Sequence, residues 1–250
     1  MAGRAVLVTG ASRGVGRAVA VAFAAAGDRV AVHHRDSPDR AVETVGMLAG
    51  TGHVVVSGDL ADPAAVKAFV DAAALGLGGL DVLVNNAAVF TEHPPGSVTY
   101  EEWQAAWRRT IDVNLVGTAN ATFCALPYLR ASGAGRVVNV SSRGAFRGEP
   151  DQPAYGASKA GLNALGQSLA RALAADGIAV TAVAPGYVET DMVADSLRPP
   201  RGAELRAQSP FDRVARPEEV AAAVLYLASP EAEWASGAVL DLNGASYLRT

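Results

Sequence analysis

Tyr155 and Lys159 stand four residues apart, so on a helix they share one face about a turn from each other. A phenol with an ordinary pKa near 10 is a poor proton shuttle at neutral pH, and a neighbouring ammonium would lower it by stabilising the phenolate. The pair therefore predicts an acid–base centre. Lys67 and Lys159 are the only lysines among 21 basic residues. A compact ammonium with three rotatable donors can act in a narrow site where a planar guanidinium cannot. Ser142 lies thirteen residues before Tyr155, at the end of an apolar run. Ser141 is its local rival, and a cap or turn role is open to either. Asn114 falls inside a long helical stretch, a place its propensity disfavours, which points to a specific task.

A second constellation is the turn Thr9-Gly10-Ala11-Ser12-Arg13-Gly14-Val15-Gly16, directly after an apolar run and before an alanine-rich helix. Glycines there let a backbone approach a pyrophosphate, and the helix N-terminus offers free N–H groups and a positive dipole end. A tight strand–helix turn would need similar glycines, so position in the chain carries the argument.

The elements that must hold these groups alternate. Short β-branched runs at Ala5–Thr9, Val30–His33, Val54–Ser57, Leu80–Val84, Arg136–Val140, Ile178–Val183 and Ala238–Leu242 predict seven strands. Between them, Gly14–Ala26, Asp39–Ala49, Pro63–Leu75, Tyr100–Arg130, Tyr155–Ala175 and Pro217–Leu227 predict six helices. This pattern predicts an α/β fold: a doubly wound, Rossmann-type domain with a seven-stranded parallel sheet and helices on both faces. No linker or repeat divides the chain, so residues 1–250 are read as one cofactor-binding catalytic domain. Residues 188–216, rich in Pro, Arg and Asp, have no strong period and read as a lid over the site.

The spacing Thr-Gly-x-x-x-Gly-x-Gly resembles the short-chain dehydrogenase/reductase family. The resemblance continues through Asp59-Leu60, Asn85-Asn86-Ala87-Ala88, Asn114, Ser142, Tyr155-x-x-x-Lys159, Pro185-Gly186-Tyr187-Val188-Glu189-Thr190 and Asn243-Gly244, in family order. It implies a nicotinamide cofactor held by Gly10, Ser12, Arg13, Gly14, Val15, Gly16, His34, Arg35, Asp59, Leu60, Asn86, Ala87, Pro185, Gly186, Val188 and Thr190. In that scheme Asp59 approaches the adenine, Asn86 supports the adenosine side and Thr190 touches the carboxamide. Local readings stay open, since Asp59 could cap a turn, Asn86 order a loop and Thr190 cap a helix. The resemblance further implies that Lys159 also holds the nicotinamide ribose. Ser142 orients the carbonyl, Tyr155 protonates its oxygen, and Asn114 positions a water that links the lysine to solvent.

His34 occupies the position where members preferring NAD usually carry Asp, and Arg35 follows it, while Arg13 sits on the glycine turn. Two guanidinium groups suit a 2′-phosphate, so NADP(H) is expected over NAD(H), with Asp36 as the opposing residue. The motifs are most similar to those of the 3-oxoacyl-(acyl-carrier-protein) reductase branch. The positions where that branch carries its carrier-docking cations are Gly133 and Asp176 here, which weakens an acyl carrier protein as partner; Arg130, Arg143 or Arg147 could substitute. The resulting expectation is an NADPH-dependent ketoreductase for a small or polyketide-like ketone. Carrier-linked 3-oxoacyl reduction is the alternative, then a sugar or cyclic alcohol dehydrogenase, and last a non-catalytic NADP-binding protein. The resemblance also implies a homotetramer, or a dimer.

Composition sets the outer bounds. Half the residues are hydrophobic and 18% are charged, which excludes a disordered chain and suits a sheet covered on both faces. A net charge of −4 gives no reason to expect nucleic acid or an anionic membrane as partner, and no metal is called for. The chain enters its first strand without a secretory leader, no run reaches the roughly 20 apolar residues of a membrane span, and Cys124 is the single cysteine. Together these suit the cytoplasm.

Overall fold

The computed structural model describes residues 3–191, 198 and 200–249. Its elements run β1 (Ala5–Val8), α1 (Gly14–Ala25), β2 (Arg29–His34), α2 (Pro38–Gly46), β3 (Val54–Ser57), α3 (Pro63–Leu77) and β4 (Val82–Asn85). There follow α4 (Tyr100–Ile111), a π-helical segment (Asp112–Gly117), α5 (Thr118–Ser132), β5 (Arg136–Val140), α6 (Gly144–Arg147) and α7 (Pro153–Leu173). A 3₁₀ turn (Ala174–Asp176) precedes β6 (Ala179–Pro185), α8 (Arg201–Ala207) and α9 (Pro217–Leu227), and a second (Pro230–Ala235) precedes β7 (Val239–Leu242).

All seven strands pair in parallel in the order β3-β2-β1-β4-β5-β6-β7. This is the doubly wound Rossmann-type sheet that the alternation predicts. Parallel strands need crossovers, and those crossovers bury both faces of the sheet, which is why β1, β4, β5 and β6 are buried at every position. Alternate side chains feed two cores. Leu7, Ala31, Leu83, Val137 and Val180 point to the face covered by Phe69 and Leu77 of α3 and Leu129 of α5. Val6, Val8, Val30, Val84 and Val183 point to the other, covered by Phe23 of α1 and Val220 and Val224 of α9. The winding direction reverses between β1 and β4, so a crevice opens at their C-terminal ends.

Two features differ from the sequence reading. The expected single helix over 100–130 is two α-helices joined by the π-helical segment, whose wider turn carries Asn114. Gly117 in that segment could not be another residue, because a Cβ there would fall 2.4 Å from the Leu60 carbonyl oxygen. Two short helices, α6 and α8, were too brief to leave a period in the sequence. Within the expected lid, residues 192–197 and 199 lie outside the described residues. Its two ends are joined by a bridge between Val188 and Ala215, with Glu189 N donating to Ala215 O at 2.9 Å.

Candidate active site

The glycine turn passes from β1 into α1 with Gly10 at φ 64° and Gly14 at φ 55°, conformations that disfavour any side chain. A Cβ on Gly16 would come within 2.3 Å of the Gly10 carbonyl oxygen and 2.5 Å of Asn86 Nδ2, so the turn closes only around glycine. Arg13 precedes α1 without capping it through its side chain, and the first turn of α1 holds no acidic residue. The orphan N–H groups and positive dipole end thus face the crevice, a cradle for an anion.

The strands beside it brace this turn. Thr9 Oγ accepts from Asn86 N and Ala87 N at 3.0 and 3.1 Å, and Asn86 Nδ2 donates to the carbonyls of Thr9 and Gly10. Asn86 therefore orders the loop, the local reading left open above. His33, which the sequence reading passed over, is buried at the centre of the brace. Its Nδ1 accepts from Gly10 N at 3.1 Å, which leaves Nε2 to donate to Gly58 O at 3.0 Å. Burial holds this imidazole neutral and lowers its pKa from 6.5 to about 4.

One cleft is lined by every residue named for the cofactor and by Ser142, Tyr155 and Lys159. At its far end lie His34, Arg35, Asp36 and Ser37. His34 Nδ1 accepts from Ser37 N, and Arg35 binds Asp36 through Nε and Nη2 at 2.9 and 2.6 Å. That contact holds the exposed Asp36 carboxyl below its ordinary range. Across the cleft, Asp191 lies 3.1 Å from Arg40 and 4.0 Å from Arg13. Two guanidinium groups, Arg13 and Arg35, thus line this end, with Arg40 held on Asp191 beside it, a donor set that fits a phosphate. Asp59 accepts from Ala61 N at 2.9 Å and from Arg109 Nη1 at 2.8 and 3.0 Å. Burial would raise the Asp59 carboxyl, but these donors outweigh it and hold it below its usual range. Leu60 is packed under the π-helical segment. On the opposite wall, Pro185 and Gly186 end β6, with Gly186 N bonded to Leu242 O at 3.1 Å. Thr190 lies over Gly14, where a Cβ would come within 3.2 Å of its methyl group.

At the near end α7 carries Tyr155 and Lys159 on one face, as their spacing requires. Lys159 Nζ donates to Val140 O at 2.7 Å and lies 5.6 Å from the centre of the Tyr155 ring. The expectation that this ammonium pulls the phenol pKa down is corrected. Burial pushes Tyr155 up to about 12, with Ser142 hydrogen bonding opposing it and Glu149 and Tyr187 adding to it, and burial also lowers Lys159 to about 8. Desolvation exceeds the pairing because the ammonium is directed to a carbonyl rather than to the phenol oxygen. Ser142 Oγ accepts from Gly144 N at 3.0 Å, which fixes the strand end; Ser141 Oγ instead points to Lys159 O at 3.4 Å.

Asn114 alone among the named residues does not line the cleft. Fully buried, it accepts from Val89 N at 2.8 Å and donates to Val89 O at 3.0 Å and to Ser158 Oγ at 3.2 Å. The side chain ties the loop after β4 to α7. Sequence reasoning also missed Phe90, whose ring meets that of Tyr155 edge-on at 4.8 Å, Arg109, whose partner Asp59 is 50 residues away, and Glu149, which also lines the cleft.

Comparison with known proteins agrees with this geometry. A family model described as enoyl-(acyl carrier protein) reductase matches residues 10–244. Cis-4-hydroxycyclohexanecarboxylate dehydrogenase of Sinomonas cyclohexanicum is 40% identical over 96% of this chain and 95% of its own length. A 3-oxoacyl-(acyl-carrier-protein) reductase of Staphylococcus aureus is 35% identical over 98% of both. Among solved structures, a short-chain dehydrogenase from Burkholderia cenocepacia J2315 in complex with NADP superposes with a TM-score of 0.87 at 34% identity, covering 97% of each chain. The fold and cleft define a dinucleotide-type oxidoreductase. The chain belongs to the short-chain dehydrogenase/reductase family, whose members are NAD(P)-dependent oxidoreductases.

Proposed function

We propose that this protein is an NADPH-dependent ketoreductase that converts a small ketone to a secondary alcohol. The observation that carries the reading is that Ser142, Tyr155 and Lys159 line the same cleft that begins at the glycine turn, with Tyr155 and Lys159 on one face of α7. The turn, the uncapped α1 and the arginines fit NADP(H), with Gly10, Ser12, Arg13, Gly14, Val15 and Gly16 holding the pyrophosphate side. His34, Arg35, Asp59, Leu60, Asn86 and Ala87 would enclose the adenosine. Pro185, Gly186, Val188 and Thr190 would wall the nicotinamide, as would Tyr155 and Lys159. When bound, the reduced nicotinamide supplies a hydride equivalent.

Ser142 Oγ donates a hydrogen bond to the substrate carbonyl oxygen and turns its carbon toward the cofactor. Tyr155 gives its proton to that oxygen as negative charge develops there; such pre-oriented donors contribute about 3–4 kcal/mol each. Lys159, on the same face of α7 and anchored to Val140 O, would bond the nicotinamide ribose. Asn114 is a positioning residue that keeps the Val89 loop and α7 in register. Residues 188–216 would close over the substrate as part of one catalytic domain spanning 1–250.

Carrier-linked 3-oxoacyl reduction is the second reading, favoured by the Staphylococcus aureus relative. Against it, Arg143 is buried and Arg130 is bound by Asp176 at 2.8 Å, so neither offers a free docking charge. Of the three substitutes named from sequence, Arg130 and Arg147 are exposed, and Arg130 is taken up by Asp176. A homotetramer accords with exposed Phe123 on α5 and Trp234 and Leu240 around β7. Among the described residues no helix is long and apolar enough to cross a membrane, and the single cysteine accords with the cytoplasm. A panel of ketones, cyclic alcohols and 3-oxoacyl thioesters, assayed at the nicotinamide absorbance with each cofactor, tests the reading. It predicts turnover of free ketones with NADPH, and is wrong if only thioesters react or if nothing does.

A further inference from the structure

Arg143 follows Ser142 directly and is 2% exposed, a charged group drawn out of water at the near end of the cleft. Its side-chain hydrogen bonds go to neutral groups, while the Glu149 carboxylate acts on it electrostatically. Nη1 donates to Ser246 Oγ at 2.5 Å, Nη2 donates to Gln208 Oε1 at 2.9 Å, and the guanidinium lies 5.2 Å from the centre of the Tyr187 ring. Arg147 Nη1 donates to the same Gln208 Oε1 at 3.2 Å, so two cations converge on one amide oxygen. Burial lowers the Arg143 pKa and the Arg147 charge lowers it further, and together they outweigh the opposing pull of Glu149 and Tyr187, so the cation is held at a cost. Glu149 is the acidic side chain at this end, pressed against Gly144, and the two guanidinium groups outnumber it.

We propose that Arg143 selects the substrate, its guanidinium taking the carboxylate of an oxo acid whose ketone oxygen meets Ser142 and Tyr155. The inference rests on the ketoreductase reading above. A carboxylate offers two oxygens in the plane of the guanidinium fork and replaces the single amide oxygen on which the two arginines crowd. Gln208, just beyond α8, and Ser246, after β7, then swing away or become further donors to the guest.

The test compares 4-oxopentanoate, 5-oxohexanoate and 4-oxocyclohexanecarboxylate with their methyl esters, using the wild type, Arg143→Gln and Arg143→Lys and including cyclohexanone as a neutral ketone. A charge-assisted contact of this kind predicts a wild-type kcat/KM for at least one acid roughly 10- to 100-fold above its ester. That ratio should collapse in Arg143→Gln and persist in part in Arg143→Lys, whatever either change does to the absolute rates. If Arg143→Gln does not fold, the wild-type ratio and competitive inhibition by pentanoate against methyl pentanoate read the same preference. An acid-to-ester ratio near or below one for every pair, a ratio unchanged in Arg143→Gln, or a preference for an amine-bearing ketone would overturn the proposal. Cyclohexanone reduced without preference for acids would sink this inference and leave the ketoreductase reading standing. No reduction of any ketone would sink both.

Discussion

Lys159 Nζ lies 5.6 Å from the centre of the Tyr155 ring and donates to the Val140 carbonyl at 2.7 Å, so the ammonium is anchored to β5 rather than to the phenol. The two groups share a face of α7, but burial governs each: one is driven up to about 12 and the other down to about 8. A protonated phenol suits donation to a ketone. The reverse reaction must first make the phenolate, so oxidation of the alcohol should gain from alkaline conditions.

The lysine value yields the first prediction. Lys159 is charged below about pH 8 and loses its proton above it, so its contribution to cofactor binding is present at neutral pH and fades as pH rises. NADPH dissociation constants measured by fluorescence from pH 6 to 9.5 should weaken above about 8, by roughly tenfold or more overall. Lys159→Met should bind weakly throughout and lack that transition; the same curve in both proteins would mean the lysine does not bind the cofactor.

His33 predicts an acid limit to stability. Its folded pKa is depressed from 6.5 to about 4, so the unfolded chain takes up the proton first as pH falls. Stability tied to His33 is complete above about 6.5 and is lost between there and about 4. The full loss is on the order of 3 kcal/mol. Urea unfolding midpoints across pH 4–7.5 should decline, and His33→Asn, which keeps an acceptor near Gly10, should flatten the slope. An unchanged slope in the variant would remove His33 from the account.

Cofactor choice turns on a pair already formed. Arg35 is held by Asp36, so Asp36→Asn should free the guanidinium and strengthen NADPH binding while leaving NADH nearly unaffected. Arg35→Ala or Arg13→Ala should weaken NADPH by roughly 10- to 100-fold, and added salt should narrow the difference. Titrations with both cofactors decide it. Equal losses for NADH and NADPH would make these arginines structural and Asp36 a candidate acceptor for a ribose hydroxyl.

The strands were legible because parallel pairing buries both faces, leaving runs such as Val137–Val140 nearly all apolar. The glycine turn and the Tyr155–Lys159 pair could be read because both depend on spacing along one element. Asn114 was legible as an anomaly but not as a clamp, since its partners Val89 and Ser158 are 25 and 44 residues away. The π-helical segment left no signal because one widened turn does not disturb the helical apolar period enough to show. His33 hid for a similar reason. A histidine in a buried strand reads as packing, and only the fold brings Gly10 and Gly58 to its two nitrogens.

The central claim is that Tyr155 donates the proton that completes carbonyl reduction, and Tyr155→Phe tests it most directly. The substitution removes one hydroxyl and keeps the ring against Phe90. On the best ketone of the panel, kcat should fall by about 10²–10⁴-fold, the range of general acid catalysis, while the NADPH dissociation constant and the unfolding midpoint stay close to the wild type. Retention of more than about a tenth of wild-type kcat would contradict the account and move the acid to another group in the cleft.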